Sequence, residues 1–217
     1  LIDMPVGLTA KVRSAQAAAQ LGHQLEQVGQ ALGLQVRVLQ TDGVAPVGRG
    51  IGPALAARDV LAVLRREPGA PADLALRAVQ LAGQLLEFGG AAAPGQGLAQ
   101  ARAVLDDGRA WQKFQAICEA QGGLRTPPVA AHRQPVLSRH SGTVIAIDNR
   151  RLARIAKLAG APSAACAGID MHVQPGAVVT RGQPLFTLHA ATPGELADAL
   201  EYATTQAEAV HVMEEAL

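Results

Sequence analysis

The sequence predicts an α/β region followed by an α+β region, and three observations carry that prediction. A strand, an amphipathic helix and a second strand succeed one another between Ile2 and Gln40. Helical patterns then run from Pro53 to Gln121. Beyond a Gly/Pro-rich stretch, short β-branched runs on tight turns alternate with two helices.

The opening Leu1-Ile2-Asp3-Met4-Pro5-Val6 reads as a buried strand already under way, which leads us to expect a truncated chain. Leu21, Leu25, Val28 and Leu32 recur at i, i+4, i+7 and i+11, one stripe of a helix that Gly33 is placed to end. Leu34 to Gln40 alternates apolar and polar residues as a second strand, and Thr41-Asp42-Gly43 begins a turn. Pro53 suits a first helical turn, and the Ala/Leu-rich run to Arg66, with Arg58 and Asp59 on its polar face, closes at Pro68-Gly69. From Ala72 to Phe88 the stripe Leu74, Ala78, Leu81, Leu85 marks another helix; two more are expected at Leu98 to Asp106 and Ala110 to Gln121.

Residues 122–135 hold Gly-Gly, Pro-Pro and a further Pro with little periodicity, which divides the chain into regions 1–125 and 126–217. Ser141 to Ile147 reads as a strand, and Asp148 is a good N-cap for a short helix to Ala159. Ile169 to Val173, Val178-Val179 and Leu185 to His189 are expected as short strands, turned at Gln174-Pro175-Gly176 and Arg181-Gly182. Pro193 opens a last helix before an Ala/Glu-rich tail.

With 49% hydrophobic and 17% charged residues in 217, the chain can bury one good core or two small ones. A net charge of +1, with no Lys/Arg run interleaved with aromatics, argues against a nucleic-acid groove. Cys118 and Cys166 lie far apart with no second ligand at metal spacing, so both are expected reduced and buried, with neither a disulfide framework nor a zinc site. No stretch is long and apolar enough to span a bilayer and no signal pattern opens the chain, so a cytoplasmic protein is expected. The six histidines show no H-x-x-x-H pair or triad partner; His172 and His189, in expected strands, read as structural.

The stretch from Thr41 to Leu55 places glycines between a strand end and a helix start, where backbone N–H groups carry partial positive charge and a ligand can approach closely. It lacks the Lys-Ser/Thr of a P-loop, and Gly48-x-Gly50-x-Gly52 lacks dinucleotide spacing, so a purely conformational role for these glycines stands beside anion or ion binding.

Thr41-Asp42-Gly43 and Val47-Gly48-Arg49-Gly50-Ile51-Gly52-Pro53-Ala54-Leu55-Ala56-Ala57-Arg58-Asp59 resemble the signature of the thymidine and pyrimidine nucleoside phosphorylases. Ile2-Asp3-Met4-Pro5-Val6-Gly7 resembles the family's Asp-x-x-Val-Gly strand, and Leu105-Asp106-Asp107-Gly108 with Ala120-Gln121-Gly122-Gly123 its later helical region. Ser141-Gly142-Thr143-Val144, Ile169-Asp170, Gly182-Gln183-Pro184-Leu185 and Leu188-His189-Ala190 resemble its closing domain, so the likeness runs from Ile2 to about Tyr202. Pro5-Val6-Gly7-x-Thr9-Ala10-Lys11 and Gly52-Pro53-Ala54 point to the bacterial and archaeal branch that includes AMP phosphorylases.

The resemblance implies the distal part of a mixed α/β phosphorylase domain, then an α+β domain with a barrel-sandwich-like sheet. It also implies phosphorolysis of a nucleoside to a free base and a sugar 1-phosphate, with inorganic phosphate as co-substrate and no cofactor. A site for that reaction must hold phosphate beside an oxocarbenium-like carbon and assist the leaving base. The family's phosphate loop and base-gripping Arg, Ser and Lys match no segment of this chain, which is therefore expected to be inactive alone. Carried over residue by residue, the family's monovalent-cation ligands fall at Val47, Gly50 and Asp59, where Asp59 replaces a Glu; an ordinary exposed helix-face acid is the competing reading. Lys11 and Arg49 are the candidates for substrate contact, each equally readable as a surface charge, and Asp3 flanks the strand leading to the cleft.

Family members are homodimers acting on a nucleoside or nucleotide and phosphate, with no nucleic-acid or membrane partner. Thymidine is the first substrate expected, AMP the alternative. Two other classes compete. Residues 168–190 also resemble the hybrid barrel of biotinyl and lipoyl domains, yet no lysine follows Lys157 to carry such a group, which leaves at most a non-catalytic binding module. A structural or interaction protein descended from the enzyme is the other.

Overall fold

The computed structural model describes residues 1–206 and 208–214, in two compact units: Leu1–Val44 with Ala62–Arg125, and Ala45–Leu61 with Thr126 onward. Both mix helices with strands, and the sheets of the second unit are antiparallel.

In the first unit β1 (Ile2–Val6) pairs in parallel with β2 (Val38–Asp42), Ile2 opposite Val38 and Val6 opposite Asp42. The crossover is α1 (Ala15–Ala31), capped by the Ser14 side chain, which accepts from the Ala17 amide at 3.1 Å. The helix is where the leucine periodicity places it, but its buried face is Ala18, Gly22 and Gly29, while Leu21, Val28 and Leu32 are exposed. The helix approaches the following chain through its glycines: a Cβ on Gly29 would sit 2.3 Å from a Val36 methyl. Two stripes of similar period lie on α1, and close approach selects the small one. The second strand starts at Val38, not Leu34, because the Leu34 amide closes the helix end on the Gly29 carbonyl at 2.9 Å.

Helices α3 (Ala72–Phe88), α4 (Gly97–Asp106) and α5 (Arg109–Ala120) complete this unit around Val63, Val79, Ala101 and Leu105. Within α3 the buried positions are Val79 and Gly83, and Ala78 and Leu85 of the expected stripe face solvent. Arg65 and Arg37 lie over the rings of Trp111 and Phe88 at 4.8 and 4.7 Å. Cys118 is free and only half-buried, and so is Cys166 in the second unit, which corrects their expected burial.

Helix α2 (Pro53–Arg65) begins in the second unit and ends in the first. The second unit also holds β3 (Gly50–Ile51), β4 (His132–Leu137), β5 (Gly142–Ile147), α6 (Asn149–Leu158), β6 (Gly168–Met171), β7 (Val178–Val179), β8 (Pro184–Ala190), α7 (Pro193–Glu201), a π-helical turn at Tyr202–Gln206, and β9 (Val210–Glu214). The strands form a four-stranded sheet, β3-β6-β8-β4, and a three-stranded one, β7-β5-β9. Between them lies a dry core in which Val144, Leu152, Ile155, Ile169, Met171, Val179 and Leu188 are essentially inaccessible.

Three strands had no sequence signal, the two-residue β3 in the glycine-rich segment among them. Pro135 disguises β4, and the structure admits that proline because β4 is an edge strand paired only with β8. Strand β9 lies in the expected Ala/Glu-rich tail and pairs only with β5.

Asp148 caps α6 as expected, its Oδ1 accepting from the Arg150 and Arg151 amides at 2.9 and 3.1 Å. Asp148→Ala is expected to cost about 1 kcal/mol, read as a lower urea midpoint at unchanged m-value. Thr192 and Glu195 form a capping box on α7, with Pro193 in the first turn.

Candidate functional site

In the first unit a polar network joins Asp3, the second residue of β1, to the carboxyl end of β2. Parallel pairing sets Asp3 beside Leu39 and Thr41 beside Pro5. The Thr41 hydroxyl donates to Asp3 Oδ1 at 2.5 Å. Arg77, reaching in from α3, donates through Nη1 to Thr41 Oγ1 at 3.0 Å and through Nη2 to the Asp42 carbonyl at 2.7 Å, and its charge lies 3.8 Å from Asp3 Oδ2. These bonds tie the helical layer to both strands. A cavity of about 470 Å³ opens beside them, lined in part by Gln40, Thr41, Arg77 and Gln80. Lys11 is exposed on the loop that leaves β1, where the Gly7 amide donates to the Val12 carbonyl at 3.1 Å. That loop must pass close to β2's end: a Cβ on Gly7 would lie 2.5 Å from the Gly43 carbonyl oxygen.

The sequence had singled out Asp3 and the Thr41-Asp42-Gly43 turn but not Arg77. Its one available signal was the single basic residue of α3, and nothing local says what such a residue reaches.

The glycine-rich segment lies in the second unit and is held from within. Asp59, on the second turn of α2, takes the Arg49 and Gly50 amides on Oδ2 at 2.6 and 2.7 Å, and Arg49 Nε lies 4.0 Å from its Oδ1. Asp59 is 8% exposed, so the reading as a solvated helix-face acid is wrong. Gly50 and Ile51 pair with Asp170 and Ile169, and the Arg49 carbonyl accepts from the Met171 amide at 2.9 Å. At the start of α2 the Ala54 amide donates to the Ala165 carbonyl at 3.0 Å. The loop amides of Arg49 and Gly50 and the helix amide of Ala54 are thus taken by the protein itself, which favours the conformational role of the loop. Val47 is half-buried, and the Arg49 side chain is about half exposed. Among the described residues no group of three or more His, Cys, Asp or Glu is placed to hold a metal ion.

His189 in β8 is 4% exposed, and its Nδ1 is buried without a hydrogen-bond partner among the described residues. His172 lies one residue past β6, its Nε2 paired with Thr187 Oγ1 at 2.7 Å. Burial first, then the Arg133 charge, pushes the His189 pKa below the ordinary histidine value, with Asp170 opposing and Arg58 and His172 adding to the fall. The unfolded chain therefore takes up the proton at a higher pH than the folded one. Stability is expected to decline as pH falls through about 6.5 and to keep declining until the lower folded value is passed. Comparing urea midpoints at about pH 7.5 and about pH 5.5, His189→Gln should lose less stability than the parent; an equal loss would remove His189 from the account.

Residues 143–209 match the family model described as pyrimidine nucleoside phosphorylase C-terminal domain. Over 216 residues the chain is 76% identical to a Polaromonas sp. (strain JS666 / ATCC BAA-500) protein named "Putative thymidine phosphorylase", covering 100% of this chain and 42% of that protein. A relative in Acidovorax sp. (strain JS42), "Putative thymidine phosphorylase 1", is 60% identical over 216 residues, 100% of this chain and 42% of its own length. One in Hahella chejuensis (strain KCTC 2396), named like the first, is 52% identical over 217 residues, 100% of this chain and 43% of its own. The chain thus spans about two-fifths of the length of these relatives.

Proposed function

We propose, from the premise that the chain belongs to the pyrimidine nucleoside phosphorylase family, that it is the C-terminal portion of a pentosyltransferase that cleaves thymidine with inorganic phosphate. The products would be thymine and 2-deoxyribose 1-phosphate. The observation that carries this reading is an alignment over the chain's full length with proteins named for that activity, at up to 76% identity.

Phosphorolysis needs an anion held against a sugar carbon that becomes positive as its bond to the base breaks. In this reading Lys11, on the loop after β1, faces substrate at the carboxyl ends of the parallel strands, where ligands of open α/β sheets collect. The Arg77-Thr41-Asp3 network ties the end of β2 to β1 and to α3. Arg49, in the second unit, is the other candidate for substrate contact. No cofactor is invoked. A monovalent cation on the Val47 and Gly50 carbonyls and Asp59 would have to share a carboxylate already engaged by two amides. The whole protein is proposed to work in the cytoplasm as a homodimer; no helix of the described residues is long and apolar enough to cross a membrane.

The test is phosphate-dependent release of thymine from thymidine, and of adenine from AMP, by this chain beside a version extended at its N-terminus to the length of its relatives. Thymine release by the longer version only is the expected result. Adenine release would shift the substrate to AMP, and turnover by the 217 residues alone would overturn the view that the phosphate site lies elsewhere. Lys11→Ala in the longer version should raise KM for phosphate.

A further inference from the structure

The second unit contains a cavity of about 390 Å³ that the proposed reaction does not use. Its floor is apolar and buried: Val136, Phe186 and Val210 are 8%, 2% and 4% exposed. One wall is the end of β4, where a β-bulge between Val136 and Leu137 redirects the chain into Ser138-Arg139-His140. Facing it is the π-helical turn Tyr202–Gln206, a widened geometry that frequently accompanies binding sites. Ser138 is buried and donates its hydroxyl to the His140 carbonyl at 2.7 Å, which fixes the loop between them.

The cavity is lined by one guanidinium, Arg139, and one carboxylate, Glu208, with His140 between β4 and β5. His140 is paired through Nδ1 with Glu214, which is not among the lining residues, and Glu208 on the wall lies 3.5 Å from His211 Nδ1. Arg139 donates through Nη2 to the Thr204 carbonyl, and no carboxylate lies within ion-pair distance of it among the described residues. A guanidinium offers five donors in a planar fork that suits carboxylate and phosphate oxygens. The cavity volume lies in the ordinary range for small-ligand sites, roughly 300–1,000 Å³.

We propose that this cavity binds a small organic anion, its carboxylate or phosphate-ester group on Arg139 and its apolar body over Val136, Phe186 and Val210. The site lies wholly in the second unit.

The test titrates the full 217-residue chain with phenyl phosphate and with benzoate, taking benzyl alcohol as the uncharged control, and follows backbone amide shifts. Saturable shifts confined to residues 136–140, 203–205 and 209–212 are expected from at least one anion, with benzyl alcohol binding at least about tenfold more weakly, the ratio one charge-assisted hydrogen bond supplies. Tighter phenyl phosphate assigns the site to phosphate esters, and tighter benzoate to carboxylates. Arg139→Gln should weaken the preferred anion about tenfold or more and Arg139→Lys less, while Ala203→Leu, which fills the space without touching charge, should abolish binding in a chain whose spectrum remains that of the folded protein. Absence of saturation by both anions, equal affinity for benzyl alcohol, or an unchanged affinity in Arg139→Gln would each overturn the proposal.

Discussion

Gly168→Ala is expected to destabilise the second unit by at least about 3 kcal/mol, a loss reserved for backbone strain and steric overlap in a packed interior. Gly168 opens β6 with a φ of +147°, a conformation L-residues rarely adopt, and a Cβ there would sit 2.0 Å from the Ile51 carbonyl oxygen. Neither partner can give way cheaply. Ile51 is held in β3 by its pairing with Ile169, and Gly168 stands opposite His189 in β8, so separating the overlapping atoms means separating strands. The check is a urea titration followed by amide signals of Ile169 and Leu188. A midpoint within error of the parent would show that β3 does not lie against β6 as described.

Asp59→Ala is expected to cost about 3 kcal/mol, because it strands the Arg49 and Gly50 amides that its carboxylate now accepts. Those two amides should then exchange hydrogen faster by at least about tenfold, well ahead of the core strands. Asp59→Asn keeps an acceptor but loses the charge, and should fall between the two. Ionic conditions separate this staple from a cation site. If Asp59 mainly holds backbone, replacing potassium by tetramethylammonium at constant ionic strength should leave the parent's Tm unchanged. A potassium-dependent rise in Tm that disappears in Asp59→Ala would instead make Asp59 a cation ligand, by the linkage between binding and stability.

The two substitutions mark where sequence reading succeeds and where it stops. Asp59 was identified from a motif, yet the motif could not distinguish an exposed acid from one turned inward on Arg49 and Gly50, because that depends on where the loop returns. Gly168 received no separate weight, since a glycine's reason here is a carbonyl 117 positions earlier, at Ile51. Arg77 belongs with it: its partners Asp3, Thr41 and Asp42 meet only through parallel pairing of β1 with β2. Lys11 lies exposed on the loop after β1.

What the sequence by itself determined are the features carried by neighbours within a turn or two: α1 and α3 to α5, the Asp148 cap, the Pro193 start, and a mix of helices and strands. Periodicity and capping are local properties, and they survive in any tertiary setting. The tertiary structure alone decided which stripe of α1 is buried, that Pro135 sits in a strand, that Val210–Glu214 pairs with β5, and that Arg77 reaches the strand ends. Each of these depends on the partner that arrives. The glycines of α1 let the helix lie close against Val36 and Val38, and an edge strand tolerates a proline where no neighbour asks for its missing N–H.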